Sequence, residues 1–317
     1  MRVLITDYTF PTLEVEERIL AEAGIELMGA QCKSVDLLKD LVRHADAVIT
    51  QFAPINADVI GCMERARAIV RYGIGVDNVD LAAARARNIP VCNVPDYCID
   101  EVADHTLAMM LGLLRGVTEN SAKVRSGSWG LAVPLDRMRC LRDLAVGIIG
   151  FGRIGREVAS RLAPFKCRRL VFDPMVAAES VRQFGCESVS LDELLATADV
   201  VTLHCPSNEQ TRGLLGRDRI AAMKAGAALV NVGRGDLVDP DALTDALTRG
   251  HLSAAALDVF QPEPIPADHP ILKMDQVIVA AHVASASVPA VRKLRETAAQ
   301  IAVLAVQGQA LPNVVNP

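Results

Sequence analysis

Short, wholly apolar runs recur along almost the whole of this 317-residue chain, and amphipathic stretches of helical period separate them. A strand with no polar face must be covered on both sides, and alternating helices supply that cover. The pattern therefore predicts parallel sheets flanked by helices. A first series of strands is predicted at 3–6, 25–28, 47–50, 68–71 and 91–94. A second runs at 145–149, 169–172, 200–203, 227–231, 254–257 and 277–280. "EVEERILAEAG" and "VDLLKDLVRHA" read as helices of the first series. Between the two series, Val102, Leu107, Met110, Leu111 and Leu114 fall at roughly helical spacing, which predicts one long helix over residues 99–129. "VPAVRKLRETAAQIAVLAVQG" predicts a terminal helix ending at Gly308, and the apolar "LPNVVNP" is expected to return to the first lobe. The expected architecture is α/β, with two doubly wound parallel-sheet lobes. One comprises 1–99 plus 286–317, discontinuous in sequence, and the other 100–285.

Composition narrows the function classes. Length suggests about two domains. A formal net charge of −5 argues against a nucleic-acid surface, which leans on clustered Lys and Arg. No segment has the roughly 20 consecutive apolar residues of a membrane helix. "MRVLITDYTF" reads as a first strand rather than a leader. The eight Cys are dispersed with no CxxC pair, so reduced thiols, a cytoplasmic location and no metal site are expected.

The stretch "AVGIIGFGRIGREVAS" joins an apolar run to a helical pattern through Gly150, Gly152 and Gly155. A lone GxGxxG is weak evidence, but here strand, turn and helix stand in order, with Ile154, Val158 and Leu162 on one helix face. Gly150 permits a tight turn, Gly152 lets the backbone approach a pyrophosphate, and Gly155 lets helix and strand pack closely. The helix N-terminus adds positive potential for that anion. The next strand, "RRLVFDP", ends at Asp173, an acid that suits ribose hydroxyls and disfavours a 2′-phosphate, so NAD is expected over NADP.

Open α/β sheets bind ligands beyond the carboxyl ends of their strands. Those ends carry His204 and Pro206, Arg234, Asp258 and then Glu263, and His282. Taken singly, each has a structural reading. Arg234 suits a surface ion pair, Glu263 between two prolines a rigid loop, and His282 a core histidine. His204 reads as a backbone lining of the adenine side. Together they place an Arg, an acid and a His on the edge that carries the glycine turn. Further cofactor contacts are expected from Arg153, Ile154, Thr211, Val232 and Thr106.

In this order, "RYGIGVDNVD", "NIPVCNVPDYCIDEVADHTLAMML", "GIIGFGRIG", "NVGRGDLVD", "AALDVFQPEP" and "AAHVASAS" resemble the D-isomer-specific 2-hydroxyacid dehydrogenase family over essentially the whole chain. The resemblance implies a Rossmann NAD-binding lobe, a flavodoxin-like substrate lobe and a homodimer formed through the cofactor lobe. It assigns catalysis to Arg234, Glu263 and His282, and the nicotinamide amide to Asp258. The substrate carboxylate falls to backbone N–H groups of Tyr72, Gly73, Ile74 and Gly75. The implied reaction is NADH reduction of a 2-oxo acid, with Arg234 clamping the carboxylate and His282 acting as acid/base under the orientation of Glu263.

Departures bear on the substrate. Where some phosphoglycerate dehydrogenases of the family carry an Arg-Ser-x-Thr segment, this chain has Thr50, Gln51 and Phe52, which weakens the case for 3-phosphoglycerate. The chain stops at Pro317, so no C-terminal regulatory domain is expected. Ile74 replaces the Lys of phosphonate dehydrogenases. A small 2-oxo acid such as glyoxylate or hydroxypyruvate fits best, with Gln51 and Phe52 as candidate contacts. Two alternatives stay open: D-3-phosphoglycerate dehydrogenase, and a non-enzymatic NAD(H)-sensing scaffold like the corepressor branch of the family.

Overall fold

A computed structural model describes residues 1–32 and 34–317 of the chain. The chain forms two compact units, one of residues Met1–Tyr97 with Ser287–Pro317, the other of Cys98–Ala286. They are called unit 1 and unit 2.

Unit 1 begins with β1 (Arg2–Ile5), α1 (Glu14–Glu22), β2 (Glu26–Gly29), α2 (Val35–Val42), β3 (Ala47–Thr50), α3 (Ala57–Gly61), β4 (Ile69–Arg71), α4 (Leu81–Ala86) and β5 (Val91–Cys92). All pairings are parallel, in the order β2-β1-β3-β4-β5, the flavodoxin-like arrangement. Local chemistry starts the helices. The side chains of Ser34, Asn56 and Asp80 accept the N–H of Leu37, Val59 and Ala83, satisfying donors that a helix start leaves unpaired.

Unit 2 runs through α5 (Ile99–Arg115), α6 (Val117–Arg125), β6 (Ala145–Ile149), α7 (Arg153–Leu162), β7 (Arg168–Phe172), α8 (Ala178–Arg182), β8 (Glu187–Ser188), α9 (Leu191–Thr197), β9 (Val200–Leu203), α10 (Arg217–Ala221), β10 (Ala227–Asn231), α11 (Pro240–Thr248), β11 (Leu252–Leu257) and β12 (Val277–Val279). Its seven strands are ordered β12-β11-β10-β9-β6-β7-β8, the Rossmann order extended by one strand. Strands β6, β9 and β10 are buried at every residue, as helices on both faces require. The order reverses between β6 and β9, so the glycine turn after β6 lies at the switch point, where such sheets bind ligands.

The chain then returns to unit 1 with α12 (Val288–Gln307), capped by Ser287 and closed by Gly308 in the left-handed region at φ 71°. Leu294, Ala298, Ile301 and Ala302 of α12 share one core with Val3, Ile5, Ile49 and Val70 of the sheet. Val314 bridges Cys92 antiparallel to it, while Asn316 accepts the Val91 N–H and donates to the Ile89 carbonyl. The final stretch thus closes the edge of β5.

Two sequence expectations need correction. The helix predicted over 99–129 is broken. Gly116 enters the left-handed region at φ 54°, donates its N–H to Leu113, and a new helix, α6, runs only to Arg125. Apolar spacing cannot report such a break, because it carries no information on φ. The second sheet also gains an edge strand, β8, whose two exposed polar residues leave no apolar signature. Among the described residues, no helix is long and apolar enough to cross a membrane.

Candidate active site

The turn after β6 owes its shape to glycine. Gly150 holds φ at 93°, and a Cβ there would lie 2.5 Å from the backbone N of Cys205. A Cβ on Gly155 would fall onto the carbonyl oxygen of Gly150, whereas one on Gly152 would meet nothing within 4 Å. Two glycines therefore serve the packing of the turn, and the third faces open space at the start of α7. No side chain caps this helix, which begins at Gly152, unlike α2, α3 and α4. Backbone donors at an uncapped N-terminus, with a bare glycine in front, suit a pyrophosphate. Arg153 is exposed beside the turn and Ile154 is half-buried.

Asp173, just past β7, accepts the Phe151 N–H on one oxygen (2.7 Å) and the Met175 N–H on the other (2.8 Å). It thus fixes the turn from the neighbouring strand. A carboxylate offers about four lone-pair sites, so it keeps acceptor capacity for ribose hydroxyls. Beyond β9, the His204 ring meets the Thr202 hydroxyl at 3.0 Å, and desolvation by burial pushes its pKa down to about 3. A ring that stays neutral at any ordinary pH is no proton donor. Thr211 donates its hydroxyl to the Pro206 carbonyl (2.6 Å), and Val232 is buried past the end of β10. Thr106 is fully buried on α5, donating to Val102 one turn earlier.

The polar groups after β10, β11 and β12 are locked to each other. Asn231 donates its side-chain amide to the Arg234 carbonyl (2.8 Å) and accepts the Gly233 N–H, which shapes the loop carrying Arg234. Glu263 accepts the Phe260 N–H on Oε1 (2.8 Å), and its Oε2 lies 2.9 Å from His282 Nδ1. Burial pushes the Glu263 carboxyl up. The hydrogen bonds from His282 and Phe260, with the charges of His282 and Arg234, outweigh that and hold it below the ordinary carboxylate range. His282 itself has φ 54°. Asp258 fastens this strained residue: its carbonyl accepts the His282 N–H (2.7 Å), and its fully buried carboxylate accepts the N–H of Val283 (2.9 Å) and Ala284 (2.8 Å).

In unit 1, Tyr72 is buried, donating its hydroxyl to Glu16 (2.9 Å) and meeting Phe10 edge-to-face. Gly73 takes φ 148°, and its carbonyl accepts the Val94 N–H, while Asn93 donates to the Ile74 carbonyl (2.7 Å). Residues 72–75, ending at the half-buried Gly75, are thus held by the chain that continues β5. The Gln51 amide is engaged at both ends with Thr9. Phe52 is half exposed, with its N–H on Asp7.

Two residues escaped the sequence reading. Arg71, at the end of β4, donates to the Tyr72 carbonyl and places its guanidinium over the Phe52 ring. His105 on α5 brings Nε2 within 3.7 Å of Asp258 Oδ1. Arg71 stands in "RYGIG", where an Arg beside a glycine loop was a usable signal. Nothing local marks His105, because its neighbour Asp258 is distant in sequence.

Residues 107–284 match the model of the D-isomer specific 2-hydroxyacid dehydrogenase NAD-binding domain. A glyoxylate reductase of Korarchaeum cryptofilum is 35% identical over 97% of this chain and 95% of its own length. A D-3-phosphoglycerate dehydrogenase of Archaeoglobus fulgidus is 33% identical over all of this chain, which spans only 59% of that protein. Among solved structures, a D-lactate dehydrogenase of Aquifex aeolicus complexed with NAD and lactic acid superposes with a TM-score of 0.89 at 28% identity, covering 99% of both chains. The strand order, the glycine turn and these likenesses converge: the chain belongs to the D-isomer specific 2-hydroxyacid dehydrogenase family, and residues 107–284 are its NAD-binding domain.

Proposed function

We propose that the chain interconverts a small 2-oxo acid, such as glyoxylate or hydroxypyruvate, and the corresponding D-2-hydroxy acid with NAD(H). The observation that carries this reading is the 2.9 Å contact between His282 Nδ1 and Glu263, both on the ligand edge of the sheet that holds the glycine turn. The cradle suits the cofactor: Gly152 faces open space at an uncapped helix start, and Asp173, with one N–H on each carboxylate oxygen, keeps acceptor capacity for ribose hydroxyls. When bound, NAD(H) supplies or accepts the hydride at the 2-carbon. With Nδ1 turned to Glu263, Nε2 of His282 is the nitrogen that gives a proton to the forming alkoxide or takes one from the alcohol. Glu263 sets the ring orientation through its contact with Nδ1. Arg234 clamps the carboxylate and polarises the carbonyl oxygen, where negative charge develops. Residues 72–75 of unit 1 are proposed to bind the carboxylate through backbone N–H groups.

A second reading has two observations in its favour. Arg71 brings a guanidinium to the loop over residues 72–75, a charge that a phosphorylated 2-hydroxy acid would use, and several of the chain's relatives are D-3-phosphoglycerate dehydrogenases. Following NADH oxidation at 340 nm with glyoxylate, hydroxypyruvate and its 3-phosphate, with NADPH in parallel, separates the two. Turnover of the unphosphorylated acids with NADH is expected. Preference for the phosphate ester overturns the substrate assignment, and no turnover of any 2-oxo acid overturns the activity. We further propose a homodimer, because α6 and the segment after it expose Val117, Val124, Trp129, Leu131 and Leu135.

A further inference from the structure

Asp258 carries more than one duty. Its carboxylate is wholly enclosed, yet among the described residues it receives only two backbone donors, from Val283 and Ala284. A buried carboxylate is tolerated when donors compensate the water it has lost. A third candidate donor stands close by. His105 Nε2 is buried, makes no hydrogen bond among the described residues, and lies 3.7 Å from Asp258 Oδ1. A buried ring nitrogen with no partner is costly and calls for an explanation. With a bare lone pair at Nε2, the ring would face a carboxylate lone pair; with a proton there, it faces an acceptor. The second arrangement is favourable, and it fixes the tautomer with hydrogen on Nε2.

We propose that His105 is a positioning residue for the reaction, acting through Asp258 on the loop that carries His282. Its Nε2–H holds Oδ1 in register with the Val283 N–H. Asp258 in turn grips three successive N–H groups, those of His282, Val283 and Ala284, and keeps His282 at φ 54°. The chain of contacts runs from α5 to the residue that follows β11, and from there to the loop after β12. His105 touches no reacting atom in this scheme; it sets the aim of the imidazole that does. The proposal rests on the assignment of His282 as acid/base, but the His105–Asp258 contact can be judged apart from it.

The test pairs kinetics with a tautomer measurement. His105→Leu removes the donor at similar volume, and His105→Gln returns an N–H near the Nε2 position. Expected are a fall in kcat of about tenfold in His105→Leu, recovery to within about threefold in His105→Gln, and NADH affinity by fluorescence within about twofold of wild type in both. Histidine side-chain 15N spectra of the wild-type protein should show His105 protonated at Nε2, with that preference lost in Asp258→Asn. An unaltered kcat in His105→Leu, or a His105→Gln as impaired as His105→Leu, overturns the positioning role. A tautomer protonated at Nδ1 overturns the contact itself. Should the wild type turn over no 2-oxo acid, the enzymatic reading falls, and with it the positioning role, while the spectra still decide the contact.

Discussion

His282 occupies a backbone region that costs a non-glycine residue about 1–3 kcal/mol, and hydrogen bonds from its own loop to Asp258 hold it there. Strain retained under such bracing fits a side chain whose direction matters. His282→Ala should keep NADH affinity and lower kcat by roughly 10²- to 10⁴-fold, the range typical of a positioned acid/base. An unchanged kcat removes His282 from the chemistry. Glu263 makes a pH prediction. Its carboxyl is lower in the folded chain than its ordinary value of 4.5. Such a group adds stability that is complete above the unfolded value and is lost as pH falls through the folded one. The gap in denaturation midpoint between wild type and Glu263→Gln should therefore be open near neutrality and narrow below about pH 4.5. A gap that widens toward acid contradicts the pairing. At this scale the sequence exposed the charged ends of strands but not how they are tied. His105 meets Asp258, and Arg71 meets the Phe52 ring, only once the chain has folded.

Among elements, the strand-turn-helix unit after β6 divides its glycines by task, and substitution should separate them. Gly155→Ala sets a methyl on the Gly150 carbonyl and should lower thermal stability along with NADH binding. Gly152→Ala meets no protein atom, so it should melt near the wild-type temperature yet bind NADH at least tenfold more weakly. Equal melting losses in the two would mean that Gly152 serves packing as well. The parallel α/β character of both sheets was legible because β6 is apolar throughout and β1, β3, β9 and β10 each carry only one polar residue and no alternating polar face, a pattern that two-sided cover explains. Elements whose cause lies elsewhere were not legible. β8 pairs along the edge of β7 without burying anything, and the break between α5 and α6 follows from one glycine's φ rather than from polarity.

For the whole molecule, each unit has a core of its own. Unit 2 is continuous in sequence, while unit 1 is assembled from both ends of the chain. Five exposed apolar side chains, Val117, Val124, Trp129, Leu131 and Leu135, follow Gly116 in one segment, with Trp129 91% exposed. If that segment joins two copies, light scattering after gel filtration should give twice the 33.9 kDa chain mass, and Trp129→Glu with Leu135→Glu should give one. A wild type already at the single mass overturns the dimer. The split of unit 1 has another outcome. Helix α12 covers Val3, Ile49 and Val70 of the first sheet, yet it lies beyond the whole of unit 2 in the chain. While a ribosome is making those intervening residues, that side of the nascent sheet has only α1 over it, and the apolar surface that α12 will cover stays unsheltered. A ribosome that stalls before Val288 would release a product prone to clump or be degraded, and this fold should depend on chaperone shelter for as long as translation takes to reach that helix.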